Sequence, residues 1–279
     1  MQLRDRVGAF GVWHGGTPPP ELAPAIERLR FGTFWVGGSP SGDLQVVEDI
    51  LDATTTLTVA TGIVNTWRSD AHEVARSFAR IRARHPDRFI LGVGIGHPEA
   101  TKEYRSPYEM LSAYVDTLLS EGVPADSLIL AALGPRVLRL AAERTAGAHP
   151  YLVPSDHSRF AREVMGPGPL LAPEHKVVLD ADPGRARTVA RETVRRYLGL
   201  TNYTSNLRRM GWHEDDFADG GSDALIDALV AHGTAEQIAA QLREHHTAGA
   251  DHVTIHLLRH EGEDAVESFT TLAEALQLQ

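Results

Sequence analysis

Alternate glycines near the end of one apolar segment are the first feature of this chain that could support chemistry. They are Gly92, Gly94 and Gly96, and His97 follows directly. Side chains alternate between the two faces of a strand, so this spacing leaves one face without side chains. A flat aromatic ring could rest on such a face, whereas close packing of neighbouring strands is the competing interpretation.

Two more segments place glycine where the backbone could approach a ligand. Gly62 interrupts a β-branched run, which indicates a bulge or a close backbone contact. Gly134 directly precedes Pro135, and proline favours the first turn of a helix. The free amides of that helix would attract an anion such as phosphate, and the hydroxyl of Ser155, predicted as the cap of the next helix, could contact the same anion. Ordinary capping is the alternative.

The composition excludes several classes of function. The chain has 279 residues and no cysteine, so disulfides, thiolate catalysis and cysteine-based metal sites are excluded. A formal charge of −10 argues against nucleic-acid binding. The 14 histidines are scattered and none forms an HExxH motif, so no metal site is predicted. The motifs GxGxxG and GxSxG are absent as well.

Short apolar runs alternate with helical patterns along the chain, and these elements must position the residues above. Predicted strands span residues 7–13, 33–36, 57–64, 89–95, 128–133, 148–153, 175–179 and 252–258. Each is followed by a helical pattern, as at 71–84 and 155–165. This alternation predicts an α/β fold, the (β/α)8 TIM barrel, as a single domain over residues 1–279 with its active site at the C-terminal strand ends. A doubly wound open sheet is disfavoured because the first turn lacks GxGxxG.

Residues 199–250 form a long segment before the last predicted strand. The segment contains helical patterns, among them 235–247, and predicts a helical insertion between strand 7 and strand 8. Such segments are usually lids, binding elements or oligomer contacts, and decoration without catalytic consequence is the alternative. No apolar run approaches the roughly 18 residues of a membrane helix, and no signal peptide is recognisable. We therefore expect a cytoplasmic protein that does not bind membranes.

Four stretches together resemble the luciferase-like monooxygenase superfamily, and most closely its coenzyme F420-dependent oxidoreductase branch. They are ATGIVNTW at 60–67, FILGVGIGH at 89–97, ALGPR at 132–136 with AGAHPYLV at 146–153, and VLDADPGRAR at 178–187. Each stretch alone is weak, but their order and spacing are fairly specific.

The resemblance implies a homodimer in which a flavin or deazaflavin lies over the strand ends. It implies a cis peptide at Gly62–Ile63 that backs the central ring, and it makes His97 a candidate proton donor or acceptor. The predicted cofactor-binding residues are Gly62, Ile63, Asn65, Gly94, Ile95, Gly96, His97, Leu133, Gly134, Pro135, Tyr151, Ser155 and His157. The predicted substrate pocket consists of Trp13, His14, Trp35 and Trp67.

The chain also departs from the family pattern. Some sugar-phosphate-oxidising relatives have an Asp-His pair after strand two, where this chain has WVGGSP at 35–40, and His97 replaces their glutamate. The prediction is therefore an F420-dependent oxidoreductase acting on an unknown organic substrate. An FMN-dependent monooxygenase and a non-catalytic flavin-binding barrel are the alternatives. An amine-dependent lyase is disfavoured because neither lysine, Lys102 or Lys176, lies at a predicted strand end.

Overall fold

The computed structural model describes residues 3–96 and 106–278. Its strands are β1 Phe10–Gly15, β2 Thr33–Gly37, β3 Thr58–Thr61, β4 Val64–Asn65, β5 Phe89–Gly94, β6 Leu128–Leu130, β7 Gly147–Ala148, β8 Leu170–Leu171, β9 Glu174–Val178, β10 Val230–His232 and β11 Val253–Leu258. Its helices are α1 Leu3–Val7, α2 Leu22–Arg28, α3 Gln45–Asp52, α4 Ala71–Arg84, α5 Pro107–Ser120, α6 Pro135–Arg144, α7 Ser155–Met165, α8 Pro183–Leu198, α9 Thr201–Arg209, α10 Glu214–Phe217, α11 Asp223–Leu229, α12 Ala235–Thr247 and α13 Ala265–Leu276.

The described strands pair in parallel and form one sheet that curls round on itself. Their order is β10-β9-β11-β1-β2-β3-β5-β6-β7-β8, with β4 paired to β5. The amides of Ala172 and Glu174 donate to the carbonyls of Ala148 and Pro150 at 2.9 and 2.8 Å, which joins the chain between β8 and β9 to the chain after β7. β8 pairs with β7 and β9 pairs with β11, and the two strands follow each other directly in the chain, so they connect the two ends of the sheet. The predicted α/β barrel architecture is therefore confirmed.

Residues on the two faces of each strand enter different clusters. Val12 and Phe34 belong to the main core between the sheet and the surrounding helices. Their chain neighbours Trp13 and Trp35 belong to a separate cluster inside the barrel, as strand alternation requires. The barrel interior is therefore filled by side chains and is not a pore.

A second cluster joins the segment from α8 to β10 to the ends of barrel strands, where Val178 and Leu258 belong to it. Ala190 and Val194 of α8 pack there with Ile226 and Leu229 of α11. By contrast, Ile238 of α12 joins the main core. The segment that builds this cluster therefore begins and ends earlier than the predicted 199–250, and α12 is one of the helices around the barrel.

Local patterns predicted the longer helices better than the strand ends. The predicted helices 71–84, 155–165 and 235–247 have those bounds in the structure. The predicted strand 7–13 is wrong at its start, because α1 ends at Val7 and Gly8, at φ +68°, turns the chain into β1. The predicted strand 57–64 is interrupted between β3 and β4.

Four short elements of the described chain were not predicted, namely α1, β8, α10 and β10. Each has two to five residues, which is too short for a periodic pattern to be recognised. Across residues 3–96 and 106–278, no helix has both the length and the apolar composition needed to cross a membrane.

Candidate active site

The end of the third barrel strand has the backbone feature expected of it. The Gly62–Ile63 peptide is cis, as predicted. The indole Nε1 of Trp13 donates to the carbonyl of Gly62 at 3.1 Å. Through this hydrogen bond Trp13 spans the barrel mouth from β1 to the β3–β4 junction, and only 8% of it is exposed. One predicted pocket residue therefore lies against the predicted ring-binding backbone.

The three alternate glycines do not leave a bare strand face, so that expectation is wrong. A Cβ atom on Gly92 would lie 1.9 Å from the carbonyl oxygen of Thr61. A Cβ on Gly94 would lie 2.8 Å from Ala131 Cβ and about 3 Å from the Ile63 side chain. The space beside Gly96 is occupied in the same way by the side chain of Asn65.

These contacts support the packing interpretation of the glycines. Neighbouring strands fill the positions that their side chains would take, so a ring would rest on the side chain of Ile63 rather than on the backbone of Gly94. Ile63, Asn65, Ile95 and Gly96 all remain partly exposed. The mouth of the barrel is therefore lined by side chains but not closed over these residues.

Replacing Gly92 with alanine tests the packing role of this glycine. We expect the free energy of unfolding to fall by about 1–3 kcal/mol, since the added methyl group meets backbone rather than a flexible side chain. Urea unfolding measures the change. Gly168→Ala is the matched control, because its Cβ would have no heavy atom within 4 Å. Equal stability of the two variants would contradict the packing role.

The start of α6 has the geometry expected of an anion site. Pro135 begins the helix, and Gly134 is its N-cap residue. The nearest atom to a Cβ built on Gly134 is a guanidinium nitrogen of Arg209, at 3.9 Å. Arg209 also donates to Asn206 Oδ1 at 3.0 Å. An open helix N-terminus beside a cation suits a phosphate group. Arg209 belongs to α9, and no sequence pattern predicted its place beside this helix start.

Ser155 and His157, the two other predicted phosphate contacts, lie in the first turn of α7. Their surroundings do not favour that role, which stays a prediction. Ser155 is the first residue of α7 rather than its cap, and its hydroxyl is 3.4 Å from a carboxylate oxygen of Glu244. Ser155 and Glu244 line a cavity of about 380 Å³ together with Asp156 and Asp227. Three carboxylates there repel a phosphate.

His157 is buried and has a structural role. Its Nε2 donates to the carbonyl of Leu133 at 2.9 Å, which ties the loop after β6 to α7. Burial lowers the pKa of His157 to about 4. The imidazole is therefore neutral near pH 7 and offers an anion no charge.

Two of the four predicted pocket residues face away from the mouth. Trp35 is fully buried, stacks on His149 with ring centroids 4.2 Å apart, and donates to His252 Nε2 at 3.0 Å. It supports the barrel interior and cannot contact a substrate. His14 lies on the outer side of the sheet over Phe34, because its chain neighbour Trp13 points inward.

Two other predictions are not decided by these contacts. Trp67 is partly exposed, its Nε1 is buried, and among the described residues that nitrogen has no hydrogen-bond partner. Its assignment to the substrate pocket stays a prediction. His97 lies in 97–105, outside the described residues.

A buried ion pair at the barrel mouth was missed. Lys176 Nζ lies 2.8 Å from Glu174 Oε1, and both side chains are fully buried in β9. Nζ is also 3.8 Å from the ring centroid of Tyr151, and Glu174 Oε2 accepts from the amide of Leu152. Lys176 is the central residue of β9 and does not lie at a strand end, but its ammonium points into the barrel beneath the mouth. The segment reads as an apolar strand, and only the sheet register shows that Lys176 points inward.

His256 completes this cluster. It pairs in register with Trp13 on one side and with Lys176 on the other. Its Nδ1 lies 3.1 Å from Glu174 Oε1 and 3.4 Å from the hydroxyl of Tyr151. Its ring centroid is 4.1 Å from that of Trp13.

The charge states in this cluster follow from burial and ion pairing. Burial raises the pKa of Glu174, but the charge of Lys176 and the hydrogen bond from His256 outweigh it and hold that pKa well below its usual range. Burial lowers the pKa of His256, and the hydrogen bond to Glu174 offsets part of that effect. Burial also raises the pKa of Tyr151, whose hydroxyl lies 3.0 Å from that of Tyr197. The site thus contains a carboxylate, an ammonium and neutral rings.

Comparison with known proteins shows what this architecture is similar to. No family model matches the chain, and no curated protein matches it. Among solved structures, an F420-dependent secondary alcohol dehydrogenase in complex with an F420-acetone adduct superposes with a TM-score of 0.75 at 15% identity, covering 97% of this chain and 98% of that one. The chain has the luciferase-like fold.

Two further structures show the range of enzymes with the luciferase-like fold. The coenzyme F420-dependent tetrahydromethanopterin reductase from Methanopyrus kandleri has a TM-score of 0.69 at 15% identity, covering 96% of this chain and 98% of that one. The oxygenating constituent of 3,6-diketocamphane monooxygenase from Pseudomonas putida, in complex with FMN, has a TM-score of 0.63 at 14% identity, covering 97% and 96%. Oxidoreductases and monooxygenases therefore share this fold.

Proposed function

We propose that this protein is an F420-dependent oxidoreductase that transfers a hydride between the deazaflavin and a small organic substrate. The observation that carries the proposal is the pairing of two features along the strand ends. One is the partly exposed surface at Gly62 and Ile63, and the other is the open helix start at Gly134 with Arg209 beside it. A flat ring with a phosphate-bearing chain needs both.

The residues present fit such a cofactor. Ile63 and Ile95 offer apolar, partly exposed surface for a ring. The start of α6 and the guanidinium of Arg209 offer donors for a phosphate, with open space where Gly134 has no side chain. When bound, the deazaflavin supplies the hydride chemistry. Trp13 and Tyr151 would exclude water from the reacting atoms, since they pack 5.4 Å apart across the mouth.

Cofactor titration tests this proposal. We expect the purified protein to bind F420 more tightly than FMN, as measured by cofactor fluorescence. Tighter binding of FMN would support the monooxygenase alternative, to which the FMN-containing structural neighbour points. A folded protein that binds neither would support a non-catalytic barrel.

Substitution of Gly134 locates the phosphate. Gly134→Glu places a carboxylate at the start of α6, so we expect at least about a tenfold loss of F420 affinity, or about 1.4 kcal/mol. Thermal stability should change little, because the position is open and an acidic residue suits a helix start. Gly168→Glu, also in open space, is the matched control for the added charge. Unchanged affinity in Gly134→Glu would place the phosphate elsewhere.

A further inference from the structure

We infer that His256 is the acid–base residue of this site, that Glu174 orients it, and that the substrate is accordingly an alcohol or the carbonyl compound formed from it. This inference rests on the proposed function, because the hydride acceptor must be the deazaflavin. It assigns the proton transfer to His256, which lies near the end of the last predicted strand, and its orientation to Glu174, which the sequence patterns did not single out.

The hydrogen bond to Glu174 fixes which ring nitrogen of His256 carries the proton. Glu174 Oε1 lies 3.1 Å from Nδ1 and also accepts from Lys176 Nζ at 2.8 Å. An ionised carboxylate can only accept hydrogen bonds, so Nδ1 must be the donor. In the neutral imidazole the lone pair is then on Nε2, which is the nitrogen that can take a proton.

His256 Nε2 is left free for that task. The hydrogen bonds of His256 to the described residues all involve Nδ1. The side chain is 16% exposed, whereas Glu174 and Lys176 beneath it are fully buried. Of Glu174, Lys176 and His256, only His256 is partly exposed, and Glu174 acts through it as a positioning residue.

The surroundings keep the ring neutral near pH 7. Burial, the ammonium of Lys176 and the more distant His14 all lower the pKa of His256, while the carboxylate of Glu174 raises it. The hydroxyl of Tyr151 is the remaining polar group against the ring, and burial raises its pKa, so it carries no charge there. A neutral imidazole beside a carboxylate is a competent general base.

Trp13 connects His256 to the predicted ring site. Its indole stacks on the imidazole at 4.1 Å between centroids, and its Nε1 donates to the carbonyl of Gly62. The imidazole is thus separated from the Gly62–Ile63 peptide by the width of one indole.

The reaction balances with the groups named. In the oxidation of a secondary alcohol, the oxidised deazaflavin, when bound, would accept the hydride released as the C–H bond breaks. The O–H bond breaks, Nε2 of His256 takes the proton, and the oxygen forms the carbonyl double bond. The carboxylate of Glu174 stabilises the resulting imidazolium, and reduction of a ketone follows the same path in reverse.

Nuclear magnetic resonance of the cofactor-free protein tests the orientation directly. In a long-range ¹H–¹⁵N correlation of ¹⁵N-histidine-labelled protein near pH 7.5, His256 should show a protonated Nδ1 and an unprotonated Nε2. His256→Asn assigns the signals and keeps a donor close to the Nδ1 position. In Glu174→Gln the preference for that tautomer should weaken and the pKa of His256 should fall. A protonated Nε2 in the wild type would overturn the inference.

Turnover separates this inference from the proposed function. With F420 bound and 2-propanol as the probe alcohol, His256→Asn should lose at least about a hundredfold in kcat while its F420 affinity stays within about twofold. The double variant Glu174→Gln with Lys176→Met has no charge at either position but keeps the cluster filled. It should shift the pH dependence of kcat. If the wild type does not bind F420, the proposed function is wrong, whereas the tautomer measured for His256 is unaffected. Bound F420 without alcohol turnover, or full activity in His256→Asn, would overturn the inference alone.

Discussion

Replacing Lys176 with methionine should lower the free energy of unfolding by about 3–5 kcal/mol, because it leaves the carboxylate of Glu174 buried without its cation. Methionine fills a similar volume, so the lost stability measures the effect of the unpaired charge rather than that of a cavity. Both side chains are fully buried, and their oxygen and nitrogen atoms are 2.8 Å apart. Urea unfolding at pH 7.5 gives the difference from the wild type.

The double variant Lys176→Met with Glu174→Gln is the control for this prediction. It removes both charges together, and a buried ion pair can often be replaced by neutral groups of similar volume at little cost. We therefore expect the double variant to recover most of the lost stability. Equal losses in the single and double variants would mean that packing, and not the unpaired charge, sets the effect.

This comparison also bears on why the pair is in the barrel. A buried ion pair is weak evidence for stability, because desolvation of both charges offsets most of their attraction. The same Glu174 oxygen that accepts from Lys176 also accepts from His256. The pair is therefore better explained as a fixed carboxylate that orients an imidazole at the mouth than as a source of stability.

The sequence alone predicted the elements that depend on local pattern. The helix 235–247 has a capping box, in which the Thr234 hydroxyl accepts from the amide of Gln237 and the Gln237 side chain accepts from the amide of Thr234. Helix 71–84 begins after Asp70, whose carboxylate accepts from two amides of the first turn. These start signals lie within a few residues of the helix itself. For that reason both boundaries could be predicted without any knowledge of tertiary contacts.

The candidate site depends on contacts between distant segments of the chain. These contacts were predicted less successfully from the sequence than the helix boundaries were. The space beside Gly94 is taken by Ala131 and Ile63 from neighbouring strands, which no alternation within one strand reveals. Ser155 meets a carboxylate from Glu244, which comes from a helix much later in the chain. The cis peptide at Gly62 was expected only from the family resemblance.

Acidification should destabilise this protein steeply because several histidines, four of which are considered below, are buried in neutral form. The folded-state pKa values of His149, His157 and His175 are lowered to about 4, and that of His252 to about 3, in each case chiefly by burial. The ordinary value is 6.5. Below that pH the unfolded chain binds a proton at each site and the folded protein does not, so the stability present at high pH is lost as the pH falls towards 4.

Between pH 7.5 and 5.5 each of these histidines should lower the free energy of unfolding by about 1.4 kcal/mol, or about 5 kcal/mol for the four together. Guanidinium unfolding at the two pH values measures the loss. His252→Gln removes one titrating ring and keeps an acceptor for the indole of Trp35, which donates to His252 Nε2 at 3.0 Å. Its loss between the two pH values should be smaller by about 1.4 kcal/mol. A wild-type stability that does not change between pH 7.5 and 5.5 would show that these rings are protonated in the folded barrel, contrary to their burial.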